Sequence, residues 1–129
     1  MKIKENLYYT ETHEWVQVDE DEEVAYLGLT DYAQESLGDI VFVELPEVGD
    51  QFDVESPVGV IESVKAVSDF YTPVSGEIKA VNEELYDAPK KLNNEPYQSW
   101  LVAIDLFTPE EMDDLMPAEE YEEFCAEEE

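Results

Sequence analysis

The chain has no arginine, one histidine, one cysteine and only five glycines in 129 residues, and each shortage closes off a class of function. A lone cysteine, Cys125, cannot build an internal disulfide framework and points to a reducing compartment. With one histidine beside it there are too few soft ligands for a zinc site, so no metal is expected. The glycines stand apart at turn positions, which leaves neither a phosphate-cradling loop nor a dinucleotide fingerprint. No apolar run is long enough to span a bilayer, and Met1-Lys2-Ile3-Lys4-Glu5 is neither a secretory core nor an arginine-rich transit segment. The cytoplasm is therefore the expected compartment.

Positive charge is also scarce, with six lysines against 35 acids and a formal charge of −29. Such a surface repels nucleic acid and anionic membrane, so partners should offer basic or neutral faces. The same charge also serves solubility, for example in a saline host, and alone it names no function. What is present is core material: 43% of residues are hydrophobic and 12% aromatic, which argues against disorder. The length suits one domain over 1–129, with a core over about 8–107 and a helical segment over 108–126. A monomer is expected.

Strand signals dominate. Trp15 to Val18 and Val24 to Leu27 flank the acidic turn Asp19 to Glu23, a hairpin pattern. Thr30 as N-cap and Gly38 as stop bracket a short helix whose inner face is Tyr32, Ala33, Ser36 and Leu37. Ile40 to Val43, then Phe52 and Val54 after the turn Val48-Gly49-Asp50, continue the β pattern. Val58 to Val67 is β-branched and contains Lys65, which places that lysine in or near a hairpin; Ile78 to Val81 resumes the ladder after a break at Tyr71 to Gly76. Asn82 to Pro96 reads as loop with one helical turn, and Trp100 to Leu106 as the last strand. Thr108-Pro109-Glu110-Glu111 has the form of a capping box. It opens C-terminal helices bearing a stripe of Leu115, Met116, Tyr121, Phe124 and Cys125, with Glu127 to Glu129 fraying into solvent.

An inventory of chemistry argues against catalysis by the chain itself. His13 is the only imidazole, and with no nucleophile elbow or metal spacing near it the expectation is a satisfied or partly exposed strand histidine. Carboxylate pairs are so frequent that their proximity says nothing about acid-base work. Lys65 differs from the other lysines because it lies alone in an apolar β-rich stretch, Glu62-Ser63-Val64-Lys65-Ala66-Val67-Ser68-Asp69. On spacing alone an exposed hairpin lysine with no chemical task remains the favoured account.

The string Val58-Gly59-Val60-Ile61-Glu62-Ser63-Val64-Lys65-Ala66-Val67-Ser68-Asp69 resembles the lipoylation hairpin of glycine cleavage H proteins, where the lysine of E-S-V-K-A carries lipoate. Further likeness covers Thr12-His13-Glu14-Trp15-Val16, Thr30 to Gln34, Leu37 to Pro46, Pro73 to Glu77 and Glu119-Glu120-Tyr121. Biotinyl domains look like A-M-K-M and the lipoyl domains of 2-oxoacid dehydrogenases like D-K-A, so Val64-Lys65-Ala66 fits the glycine system better. Departures from the family pattern fall at Asn94 to Trp100 and at Lys90-Lys91, and bear on docking more than on acylation.

The resemblance implies an all-β fold with minor α: a flattened barrel-sandwich hybrid of two antiparallel sheets, with the modified lysine at a tight turn. It implies covalent lipoic acid on Lys65, with Glu62, Ser63, Val64 and Ala66 read by a lipoate ligase or lipoyl transferase. It implies three enzymes in turn. A pyridoxal-phosphate glycine decarboxylase component loads an aminomethyl group, a tetrahydrofolate-dependent aminomethyltransferase component unloads it, and dihydrolipoyl dehydrogenase reoxidises the arm. Thr12, Glu14 and Asp69 are the candidate polar groups of a cleft that shelters the loaded arm. Three rivals remain open: a lipoyl relay that donates its cofactor elsewhere, an acidic interaction protein without modification, and an enzyme using Lys65 as a Schiff-base amine. The last needs a depressed lysine pKa, and Glu62 and Asp69 push the other way.

Overall fold

The computed structural model describes residues 3–19 and 23–128. Along the chain the strands are β1 (Tyr8–Tyr9), β2 (Glu14–Asp19), β3 (Val24–Leu29), β4 (Ile40–Glu44), β5 (Gln51–Phe52), β6 (Pro57–Ser63), β7 (Val67–Tyr71), β8 (Gly76–Val81), β9 (Val102–Leu106) and β10 (Met116–Pro117). The helices are α1 (Asp31–Leu37), α2 (Glu84–Asp87), α3 (Lys91–Asn94) and α4 (Ala118–Glu128), with a 3-10 turn over Pro109–Asp114. All pairings are antiparallel and make two sheets: a large one in the order β10-β1-β2-β3-β9-β8-β5 and a small one in the order β4-β6-β7.

Period-two alternation decides which faces meet. On β2 and β3, Val16, Ala25 and Leu27 point inward, as do Val102 and Ile104 on β9. They join Ile40 and Val43 of β4, Val58 and Ile61 of β6 and Phe70 of β7 in one buried cluster. The core therefore lies between the two sheets, which form a flattened sandwich with open edges, as the resemblance implies. A second cluster of Leu7, Tyr9, Trp15, Tyr121 and Cys125 lies under α4, with the rings of Tyr9 and Tyr121 stacked at 4.5 Å. Buried residues thus extend past 8–107 at both ends.

The hairpin of β2 and β3 forms as the alternation predicts, although Glu20, Asp21 and Glu22 of its turn lie outside the described residues. Thr30 caps α1 by accepting from the Ala33 N–H at 3.1 Å, and Gly38 ends it at φ +78°. Ser36, expected on the inner face, is exposed; Ala33 and Leu37 pack on the core without it. Val54, expected in a strand, follows β5 in a turn and is 43% exposed.

Two regions differ more from expectation. The stretch 82–96 holds two helices instead of one turn, because Leu85 and Leu92 are each fully buried. Each leucine contributes about 2 kcal/mol by leaving water, enough to fix a single turn that propensity alone would not hold. The segment 108–126 is not continuously helical. Thr108 makes no side-chain cap, and Glu111 instead accepts from the Ser75 N–H (2.8 Å) and hydroxyl (2.7 Å). After the 3-10 turn, Met116 and Pro117 pair with Tyr9 and Tyr8 at the sheet edge, where a proline's missing N–H is tolerated. α4 then runs to Glu128; Glu129 lies outside the described residues. Among the described residues no helix is long and apolar enough to cross a membrane.

Candidate functional site

Lys65 sits at the tip of the turn joining β6 to β7, and the turn is held largely by bonds within itself. The Ser63 N–H donates to the Ala66 carbonyl at 2.8 Å. The Ser63 hydroxyl oxygen accepts from the N–H groups of Lys65 (3.2 Å) and Ala66 (3.1 Å). Val64, 67% exposed, and Lys65 therefore project outward, while Glu62 stays half-buried between Phe42 of β4 and Val67 of β7.

One bond leaves the turn. The Val64 N–H donates to the Asp39 carbonyl at 3.0 Å, tying the turn to the end of α1. There the lysine stem crosses Gly38, where a Cβ would stand 2.8 Å from the Lys65 Cε. Asn93 of α3 pins the same segment: its Oδ1 accepts from the Ile40 N–H (2.9 Å), and its Nδ2 donates to the Gly38 carbonyl (2.8 Å) and to Gln34 Oε1 (3.0 Å). Neither Gly38 as a track for the lysine nor Asn93 as its clamp was foreseen. The clamp spans more than fifty residues and leaves no local pattern.

Thr12 and Glu14 meet in a cleft of about 670 Å³ between the sheets' ends, lined also by Thr10, Val54, Tyr71 and Met116. Glu14 is 2% exposed. Its Oε1 accepts from the hydroxyls of Thr12 and of Thr10 (2.7 Å for the latter), and its Oε2 accepts a long 3.5 Å contact from the Tyr71 N–H. Burial raises its pKa from 4.5 to about 7, against the lowering effect of these donors. Thr10 and Tyr71 are further site residues that the sequence did not mark. Asp69 lies elsewhere: it is exposed on β7 opposite Val60 and does not line the cleft.

His13 occupies the turn before β2 at φ +67°, not a strand position. Its Nδ1 lies 2.7 Å from the Tyr121 hydroxyl and its ring stacks on Tyr32 at 4.3 Å, so it is satisfied and anchors α4. The same Tyr121 hydroxyl lies 2.8 Å from Thr30 Oγ1.

Comparison with known proteins gives consistent findings. The family model described as glycine cleavage H-protein matches residues 7–128. The glycine cleavage system H protein of a Thermoanaerobacter species is 51% identical over 128 residues, covering 99% of this chain and 100% of its own. That of Halothermothrix orenii is 55% identical over 128 residues, covering 98% of each. The crystal structure of a glycine cleavage system H protein from Mycobacterium marinum superposes with a TM-score of 0.88 at 34% identity, covering 96% of this chain and 99% of that one.

Proposed function

The chain belongs to the glycine cleavage H-protein family, carrier components of the glycine cleavage system that are not themselves catalysts, and we propose that it carries lipoate as an amide on Lys65. The observation that carries this reading is the turn itself: an exposed amine on a backbone whose hydrogen bonds are made locally and through Asp39. Such a turn presents a tether without having to move. Acylation removes one positive charge, taking the formal total from −29 to −30.

The site fits the group. The lysine stem already lies on a glycine that leaves it room, and the cleft offers apolar Val54 and Met116 beside the Glu14 carboxylate. When bound, lipoate supplies a redox-active disulfide on a swinging tether, able to take up a one-carbon amine at one enzyme and release it at another.

The chain's residues would shelter that cargo. With a pKa near 7, Glu14 is partly protonated at neutrality; a cationic amine entering the cleft favours its ionised form, and the carboxylate then holds the amine by a charge-assisted bond. Thr10 and Thr12 orient the carboxylate. Asp69, exposed on β7 between the turn and Tyr71, is the acid on the approach. Glu62, Ser63, Val64 and Ala66 are the surface a lipoate ligase or lipoyl transferase reads.

The partners in this reading are the glycine decarboxylase component, the aminomethyltransferase component and dihydrolipoyl dehydrogenase, visited in turn by weak, fast docking of a cytoplasmic monomer. The test is intact mass after incubation with lipoate, ATP and a lipoate ligase. One lipoyl adduct is expected on the full chain and none on Lys65→Arg. An unmodified chain, or an adduct that survives Lys65→Arg, would overturn the assignment.

A further inference from the structure

The outer face of the large sheet carries a second concavity, of about 670 Å³, which shares no residue with the Glu14 cleft. Its walls follow from strand register. Trp15, Gln17 and Asp19 alternate on one face of β2, with Trp15 opposite Gly28 and Gln17 opposite Tyr26 on β3. A Cβ at position 28 would fall 2.4 Å from the indole, so the glycine is what lets Trp15 lie flat against the sheet. The indole Nε1 donates to the Pro96 carbonyl at 2.9 Å and so fixes the 96–100 segment above the sheet. From that segment Trp100 meets Tyr26 edge to face at 5.5 Å, and Tyr97 and Gln98 complete the wall.

With Val18 at its edge, the groove thus joins four aromatic rings, two amides and one carboxylate. Trp15 forms the buried floor, Tyr26, Tyr97 and Trp100 are half-buried, and Gln17 and Gln98 are exposed at the rim with half-buried Asp19. Ring faces attract a flat, weakly hydrated cation, a carboxylate neutralises it, and amide oxygens accept its N–H groups. We infer that this groove receives an arginine side chain of a basic partner protein.

Charge favours that occupant over others. The chain carries −29, which repels anionic ligands, and it has no arginine of its own to fill the groove. A lysine would present a more strongly hydrated point charge that stacks less well. The groove faces away from the core between the sheets, on whose other side β6 and β7 pack. The inference does not depend on Lys65 being acylated, and it is tested on the unmodified chain.

The full chain contains two tryptophans and both border the groove, so their two indole N–H resonances report on it directly. The probe is acetyl-Gly-Arg-Gly-amide at about 150 mM salt, where diffuse attraction to the acidic surface is screened. Both indole signals should shift saturably. The lysine peptide should bind more weakly, and the citrulline peptide, of the same shape without charge, should not bind. Asp19→Asn should weaken binding about fivefold, the worth of one exposed charge pair. Trp100→Leu should abolish it, with an undisturbed Trp15 resonance showing that the sheet is intact. Equal shifts from the citrulline peptide would mean a neutral-ligand site. Equal affinity for free methylguanidinium would mean a small-molecule site. Either result, or indole signals that do not move, overturns the proposal.

Discussion

Lys65 stands exposed on a turn closed largely by bonds within itself, whereas Glu14 is 2% exposed and receives two threonine hydroxyls and one distant N–H on its carboxylate. The first arrangement leaves a side chain free to be modified and to move. The second fixes a side chain at an energetic cost, because a buried carboxylate surrenders hydration that its three donors only partly replace. A carrier needs both: a tether that is not held and a shelter that is. The contrast is incomplete in one respect, since the Val64–Asp39 bond and the Asn93 clamp make the apparently local turn lean on α3.

That dependence gives the largest expected effect. Asn93→Ala removes three hydrogen bonds and leaves the Ile40 N–H and the Gly38 carbonyl without their side-chain partner. At about 1 kcal/mol each the loss is about 3 kcal/mol, or roughly 10 °C in Tm for a domain of this size. Thermal unfolding measures it, and amide exchange at Val64 should accelerate with it. A Tm change under about 2 °C would show that the turn is self-sufficient and the contrast with the cleft complete.

The cleft can be probed by its proton. The folded-state pKa of Glu14 is raised, from 4.5 to about 7, so between those values the folded chain binds the proton that the unfolded chain has lost. The slope of stability against pH from this group is therefore negative there. Its contribution is fully present below pH 4.5 and is lost as pH rises through 7. Many other acids titrate over the same range, so the measurement is the difference between wild type and Glu14→Gln. The variant keeps an acceptor oxygen for Thr10 and Thr12 and cannot ionise. It should gain on wild type by on the order of 2 kcal/mol between pH 4.5 and 8, read from urea midpoints. A flat difference curve would mean that the carboxylate is better hydrated than its burial implies.

Legibility in the sequence follows the same division. The Lys65 turn was readable because its determinants lie within five residues, Glu62 to Ala66, and Gly38 was readable as a helix stop because helix termination is local. Thr12 and Glu14 were readable only as a resemblance. What makes them a site comes from farther away, since Tyr71 is 57 residues from Glu14; the clamp under the Lys65 turn is as remote, with Asn93 standing 53 residues from Ile40. Pairing at that distance has no signature in spacing. α2 and α3 were too short for a helical period to show, and each is defined by one buried leucine. β10 lay hidden because Thr108-Pro109-Glu110-Glu111 is a sound helix start taken in isolation. Only the partnership of Glu111 with Ser75 turns that segment into a 3-10 turn and a strand.

The smallest effect tests how far the turn is local. Ser63→Ala removes the oxygen that accepts from the Lys65 and Ala66 N–H groups but keeps the backbone bond from Ser63 to Ala66. Both N–H groups belong to exposed residues, so water replaces the lost partner and the stability change should stay under about 1 kcal/mol. Presentation of the amine should suffer more than stability. With the hydroxyl gone, Lys65 samples more backbone conformations, and a ligase that recognises one of them acylates more slowly by roughly the population it loses, a fewfold drop in kcat/KM. Time-resolved intact mass reads the rate and urea melts read the stability. A large loss of stability with an unchanged acylation rate would reverse the assignment, making Ser63 a structural clasp and leaving the lysine's orientation to the Asp39 bond.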